Sequence, residues 1–295
     1  MTNASVLVAN VHGAEIDFLG ALLRGGISAG VVASLLLAAR HWGRHLTGLI
    51  AGLPTVSGPA LVWLALDRGN EFAAQAVPGV VAAAVPGALF ALAYAWLSLR
   101  CRRWSALLWA SAASLLSLPL LPLWQGPLQL ALALVTLVCT ACLALMPRAQ
   151  QRPLAPDSCI TPLRAGVITV LVAGAVSALA SLLAQTLGPY WAGVLTSPPL
   201  LAAAVALELH RQGCTLQVQD FLRGYTIGLI GRSVFAVLVG ILLVPQGLLF
   251  AVTTALTAAL LLSWGGLTWM QWRSRLILSR SASLGTTGAS GSDRF

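Results

Sequence analysis

Long apolar stretches separated by short polar connections occupy most of this 295-residue chain. A stretch of roughly 18 apolar residues can cross a bilayer as a helix, and nine stretches reach that length. Pro119, Pro122 and Pro127 divide what would otherwise be one long helix into the fourth and fifth of them. We therefore expect an all-α polytopic membrane protein with about nine transmembrane helices. The predicted spans are 18–40, 46–66, 73–98, 104–123, 127–146, 165–187, 191–209, 221–244 and 248–270.

The composition supports this class of protein. Hydrophobic residues make up 58% of the chain and charged residues only 8%, whereas soluble domains contain about 25% charged residues. The net charge of +9 would suit nucleic-acid binding, but the basic residues are scattered arginines that form no cluster with exposed aromatic residues. We expect a chain that has the lipid bilayer as a partner and binds no nucleic acid.

The arginines are divided unequally between alternate connections. Fourteen of the 17 lie in one alternating set of connections and tails, and the opposite set contains only Arg68. Because positive charge stays on the cytoplasmic side, we predict a bacterial-type inner-membrane protein with its N-terminus outside and its C-terminus inside. The fourteen are Arg40, Arg44, Arg100, Arg102, Arg103, Arg148, Arg152, Arg164, Arg211, Arg223, Arg273, Arg275, Arg280 and Arg294.

The chain contains an internal repeat. A shift of 145 positions aligns residues 43–98 with the second half without a gap, so that Gly48 meets Gly193 and Pro54 meets Pro199. The shift spans five helices, and an odd number inverts the second copy in the membrane, as in many transporters. The predicted units are a first repeat with an extra fifth helix (1–147), a cytoplasmic linker (148–164), a second inverted repeat (165–272) and a disordered tail (273–295).

A family resemblance lies in the same region. Its motifs are Gly48-Leu49-Ile50, Leu53-Pro54, Ser57, Ala60-Leu61 and Trp63-Leu64. Residues 43–98 resemble the GlpM-like family of small four-helix inner-membrane proteins, and the whole chain resembles two such units fused through the fifth span. The resemblance implies a loose connection with exopolysaccharide production, and it supplies no catalytic or binding residues.

Prolines interrupt corresponding spans of the two copies. Pro54 and Pro59 lie in the second span, and Pro198 and Pro199 lie in the seventh. Proline inside a helix removes a donor and clashes with the preceding turn, so each span is either kinked or divided into half-helices. Because the breaks correspond, we favour half-helices, with Ser197 capping one of them. Their ends would border a site near the middle of the membrane.

Arg232 lies near the middle of the eighth span, where a lone arginine costs about 2.5–3.5 kcal/mol on insertion scales. It either binds substrate or forms a structural pair within the protein. Glu208, near the end of the seventh span, is either a coupling carboxylate or part of a solvated helix end. The predicted substrate-binding residues are Arg232, Thr55, Ser57, Thr196, Ser197 and Gly228.

These features favour a secondary transporter of a small anionic or anion-bearing substrate, bound at the midplane between inverted repeats. The alternatives are a translocase for a phosphate-bearing lipid and a non-transporting scaffold in envelope polysaccharide assembly. We expect no enzyme activity, since no paired carboxylates or Ser/His dyad lies at membrane depth. We also expect no cofactor and no metal, because Cys139 and Cys142 lie within an apolar span and His41 and His45 have no nearby acidic partner.

Overall fold

The computed structural model describes residues 53–147, 188–213 and 215–266, apart from residues 56, 125, 197 and 198. Outside these ranges it describes only isolated positions between 26 and 30, between 167 and 175, and at 268. The predicted first and sixth spans, the linker and the C-terminal tail therefore lie outside the described residues, isolated positions aside. Within the described ranges every regular element is a helix.

The helices follow one another through short connections. α1 and α7 each contain 12 residues, and each is followed by a turn that contains a glycine with positive φ, Gly69 at 89° and Gly213 at 74°. The helices are α1 Ser57–Arg68, α2 Asn70–Ala82, α3 Ala84–Leu97, α4 Arg103–Leu116, a 3₁₀ helix Leu118–Trp124, α5 Leu128–Leu145, α6 188–195, α7 Leu200–Arg211, α8 Thr215–Gln246 and α9 Leu248–Gly266.

Five helical segments are long and apolar enough to cross a membrane, which confirms five of the predicted spans as helices of that kind. α2 and α3 together form the first of them, and they are separated only at Ala83. This interruption follows from Pro86, whose ring clashes with the carbonyl four residues earlier, at Ala82, where α2 ends. The five segments are Asn70–Leu97, Arg103–Pro122, Leu128–Leu145, Thr215–Gln246 and Leu248–Gly266.

α8 extends beyond the predicted eighth span. The apolar run predicted a span over 221–244, whereas α8 begins at Thr215, so that Arg223 lies two turns inside the helix. Arg223 is tolerated there because its Nη2 donates to the carbonyls of Met146 and Pro147, at 3.1 and 2.9 Å, beyond the end of α5. A charge with such partners does not end a helix.

α8 packs antiparallel to α2 and α3. The Asn70 Nδ2 donates to the Leu243 carbonyl at 3.4 Å, near the beginning of α2 and the end of α8. Further along α3, a Cβ placed on Gly87 would lie 3.2 Å from Leu229. Residue numbers therefore rise along one helix while they fall along the other. The 145-residue shift pairs these same helices, so the corresponding parts of the two copies run in opposite directions.

Hydrogen bonds hold the connections together at two opposite ends of this bundle. At the arginine-rich end, Trp96 Nε1 donates to the Leu145 carbonyl at 3.0 Å, and Arg223 contacts the same end of α5. At the other end, the Tyr190 hydroxyl donates to the Leu121 carbonyl at 2.8 Å. The described connections that we predicted to share a side of the membrane are thus tied to one another.

The centre of the bundle consists of α2, α3 and α8. In the most apolar 18 residues of these segments, 78% (α2–α3) and 61% (α8) are buried, compared with 17% in α5. α4, α5 and α9 expose large apolar side chains, including Trp109, Leu137 and Leu261. A face of that kind suits lipid. The two central segments are therefore shielded by the others, and α8 carries Arg232 into this interior.

Candidate functional site

The central feature of the site is the Arg232 side chain. It lies near the middle of α8 and is only 6% exposed. Its Nε and Nη2 have no hydrogen-bond partner among the described residues. A guanidinium carries five N–H donors and no acceptor, so the buried donors of Arg232 can be satisfied only by acceptors that the described part of the protein does not supply.

Two weakly acidic side chains lie within electrostatic range of Arg232. These are Tyr225, two helical turns earlier on the same face of α8, and Cys139 on α5. Both are buried. Gly87 on α3 borders the same place, because a Cβ there would lie 3.0 Å from the Tyr225 hydroxyl oxygen. Among the described residues, the groups in electrostatic range of the arginine are therefore a hydroxyl and a thiol rather than a carboxylate.

The described carboxylates lie outside the electrostatic surroundings of Arg232. There are eight, and four of them, Asp67, Glu71, Glu208 and Asp220, fall in the described ranges. Asp67, Glu71 and Glu208 are close to helix ends. Asp220 is in the first turns of α8, 12 residues before Arg232, which is about 18 Å along the axis. None of these four carboxylates contributes to the electrostatic surroundings of Arg232.

The beginning of α1 contacts α8 at Phe235, three residues after Arg232. A Cβ on Gly58 would be 3.6 Å from the ring of Phe235 and 3.6 Å from Pro54. Thr55 and Ser57 are both buried near this helix end, and the hydroxyl of Ser57, 1% exposed, has no partner among the described residues. The predicted residues Thr55 and Ser57 are therefore buried at the end of α1 that packs on α8.

The seventh predicted span is divided into two helices. α6 ends at 195, Thr196 and Pro199 lie in turns, and α7 begins at Leu200. The Thr196 hydroxyl donates to the Gly193 carbonyl at 2.7 Å, within its own chain segment. Ser197 and Pro198 lie outside the described residues. Of the predicted site residues in this stretch, Thr196 is thus buried and bonded within its own turn.

The same backbone hydrogen bond occurs at Pro54 and at Pro199. Residues 46–52 of the predicted second span lie outside the described residues, so a half-helix before Pro54 stays a prediction. Gly58 N donates to the Pro54 carbonyl at 2.8 Å, and Ala203 N donates to the Pro199 carbonyl at 2.8 Å. These pairs are related by the 145-residue shift. A prolyl carbonyl thus accepts the first bond of α1 and of α7, which is the position before a helix start. Pro59 is half-buried in the first turn of α1.

The remaining predicted residues are placed differently. Gly228 is buried one turn before Arg232 on α8. Glu208 is at the end of α7, where it accepts a bond from Arg211 Nη2 at 2.6 Å and another from Gln212. The Arg211 guanidinium holds the pKa of the Glu208 carboxyl below its usual range. This ion pair favours the helix-end interpretation of Glu208 over a coupling role.

Tyr225, Cys139 and Gly87 were not among the predicted site residues. A helical signal for Tyr225 was present, because residues seven apart share a helix face. No local signal pointed to Cys139 or Gly87, since α5 and α3 approach α8 only in the folded chain. Among the described residues, no three His, Cys, Asp or Glu side chains are grouped closely enough to hold a metal ion.

Comparison with protein-family models, with curated proteins and with solved structures found no match. The resemblance to the GlpM-like family therefore stays a prediction. Function has to be inferred from the chemistry around Arg232 and from the architecture that holds it.

Proposed function

We propose that this chain is an inner-membrane secondary transporter that holds an anionic group of its substrate at Arg232, between two inverted repeats. The observation that carries the proposal is the buried guanidinium with two unpartnered N–H positions in the middle of a membrane-length helix. An ionisable residue at that depth marks a substrate or ion pathway in most membrane proteins.

Energetics support a ligand over a purely structural role. Each buried donor that lacks a partner costs about 1–3 kcal/mol, and more where the group is charged. Tyr225 and Cys139 are poor compensation, because both are neutral near neutral pH. A bound anion would supply the missing charge and acceptors at once. Substrate binding would then offset the free-energy cost of burying the unpartnered donors of Arg232.

The architecture supports transport. α8 runs antiparallel to its counterpart α2–α3, and the two proline breaks share the same carbonyl bond at positions 145 apart. Inverted repeats with interrupted helices at their interface form the substrate sites of many secondary transporters. A scaffold protein would be expected to pair Arg232 fully within the protein. The unpartnered Nε and Nη2 therefore favour transport over the scaffold alternative.

The test uses the full chain, purified and reconstituted into vesicles of phosphatidylethanolamine and phosphatidylglycerol. Sodium acetate, bicarbonate, phosphate and sulfate are applied in turn, and charge movement is recorded against sodium chloride at equal ionic strength. We expect a response to at least one oxyanion that Arg232→Ala reduces tenfold or more. Arg232→Lys should restore little of it, because an ammonium cannot make the paired bonds of a guanidinium. Arg102→Ala, at an exposed helix end, is the matched control.

Folding is checked separately by gel filtration and melting temperature. Removing an unpaired buried charge should not unfold the protein, so Arg232→Ala should remain monodisperse. A wild-type response that persists in Arg232→Ala would remove this residue from the site. Scrambling of fluorescent phosphatidylglycerol by the wild type, with no response to any soluble anion, would instead establish the lipid-translocase alternative.

A further inference from the structure

Tyr225 shares the buried face of Arg232. The two residues are seven apart on α8, which is close to two full turns, and their side chains interact electrostatically. Tyr225 is 2% exposed, so its hydroxyl is held away from bulk solvent. Buried tyrosine hydroxyls usually have a hydrogen-bond partner. An anion at Arg232 would be within reach of a second donor if it occupied the space between the two groups.

Gly87 makes room for that hydroxyl. A Cβ at position 87 would lie 3.0 Å from the Tyr225 hydroxyl oxygen and 3.2 Å from a Leu229 methyl group. Under the 145-residue shift, Gly87 is the counterpart of Arg232. One copy therefore has no side chain at the position where the other copy has a guanidinium. The Tyr225 hydroxyl of α8 borders the space that a side chain at position 87 of α3 would fill.

The charges around this place indicate which ligand would fit. Among the described residues, Tyr225 and Cys139 are the ionisable groups in electrostatic range of Arg232, and both are neutral donors near neutral pH. The described surroundings thus present one positive charge, several N–H and O–H donors, and no carboxylate. A singly charged oxyanion balances this set. A dianion would leave one negative charge buried and uncompensated, which is costly in a low-dielectric interior.

We infer that Tyr225 is the second hydrogen-bond donor of the Arg232 site, that Gly87 leaves the space in which its hydroxyl lies, and that the site selects a singly charged oxyanion of the carboxylate type. This inference rests on the proposed function, because it assigns the substrate's anionic group to that same site. It adds a donor, a steric requirement and a charge preference that anion binding by Arg232 alone does not imply.

The test measures anion-dependent stabilisation of the full chain in lipid nanodiscs. Sodium acetate and sodium sulfate are titrated separately at constant ionic strength, and the shift in melting temperature gives the apparent affinity of each. Wild type should bind acetate at least tenfold more tightly than sulfate. Tyr225→Phe should weaken acetate binding about tenfold, the effect of losing one hydrogen bond to a charged acceptor. Tyr94→Phe and Tyr190→Phe, at the other two tyrosines of the chain, should bind as wild type does.

A double variant separates the role of Gly87 from general damage. Gly87→Ala should weaken acetate binding because it displaces the Tyr225 hydroxyl. In the Tyr225→Phe background the same change should cause no further loss of affinity, since the donor is already gone. If the two losses add, Gly87 acts independently of the hydroxyl and the inference is wrong.

The results distinguish this inference from the proposed function. Acetate binding that disappears in Arg232→Ala but is unchanged in Tyr225→Phe would overturn the inference and leave the proposed function standing. Tighter binding of sulfate than of acetate would overturn the charge preference. Wild-type protein that no oxyanion stabilises, and that gives no charge movement in vesicles, would overturn both.

Discussion

The segment α2–α3 and the helix α8 align under the 145-residue shift, yet they differ in continuity and in buried charge. Both lie in the centre of the bundle, and they pack antiparallel. α2–α3 contains Pro78 and Pro86 and is interrupted at Ala83, whereas α8 continues over 32 residues with its only proline, Pro245, at its end. The first segment has small residues through its middle, and the second has Arg232.

This difference shows that two segments aligned by the 145-residue shift can share their packing but not their charge. Both contain small residues, which permit close helix packing. Gly87 stands at the position that aligns with Arg232, so α2–α3 contributes no second buried guanidinium. Two buried arginines close together would repel one another.

The largest expected effect comes from the tightest contact of α2. A Cβ on Gly79 would fall on the carbonyl oxygen of Tyr190 in α6, and a Cβ on Gly193 would fall on that of Ala76. Gly79→Ala should therefore destabilise the protein by about 3 kcal/mol, the upper range for overpacking. Melting temperature and gel filtration in detergent measure this. Gly265→Ala is the control, because its added methyl group meets no atom within 4 Å.

We expect the stability of α8 to depend on the hydrogen bonds of Arg223, which donates to the carbonyls beyond α5. Under the 145-residue shift, Arg223 aligns with Pro78 of α2. Arg223→Ala should cost about 1–3 kcal/mol, the range for hydrogen bonds to a charged group. Arg102→Ala, on an exposed side chain, should change the melting temperature little. Equal effects of the two variants would show that Arg223 does not anchor α8.

A smaller effect is expected where α8 meets α9. Gly231 corresponds to Pro86, and a Cβ there would collide with the hydroxyl oxygen of Ser263. Because that hydroxyl is at the end of a small side chain with no described partner, Gly231→Ala should cost only about 1 kcal/mol. Ser263→Ala should recover most of this loss in the double variant. A double-mutant cycle without coupling would contradict the contact.

The smallest effect concerns the ion pair between Arg211 and Glu208 at the end of α7. The hydrogen bond from Arg211 lowers the pKa of Glu208 from its usual 4.5. The pair therefore stabilises the folded state at neutral pH, and this contribution is lost as the pH falls through the lowered pKa. Wild type should melt slightly higher than Glu208→Gln at pH 7, and the gap should close in acid. A gap that widens in acid would contradict this sign.

The sequence predicted several of these features because they depend on neighbours along the chain. A span is recognised by the length of an apolar run, and five described helices match predicted spans. The beginning of α8 at Thr215 was not predicted, because an apolar run marks only the membrane-crossing part of a helix. The carbonyl partners of Arg223 are more than 70 residues away, so no local window could include them.

The helices of this protein and the surroundings of its buried charge are therefore determined in different ways. Apolar length, proline positions and a lone arginine in a span are properties of contiguous residues. They determined five membrane-length helices, the break in the seventh span and the presence of a buried charge. Only the tertiary structure decided what other helices bring to that charge. The packing of α5 on α8 brought Cys139 into the surroundings of Arg232, and the packing of α3 on α8 placed Gly87 against Tyr225, because side chains on separate helices become neighbours only when those helices bury their faces against one another.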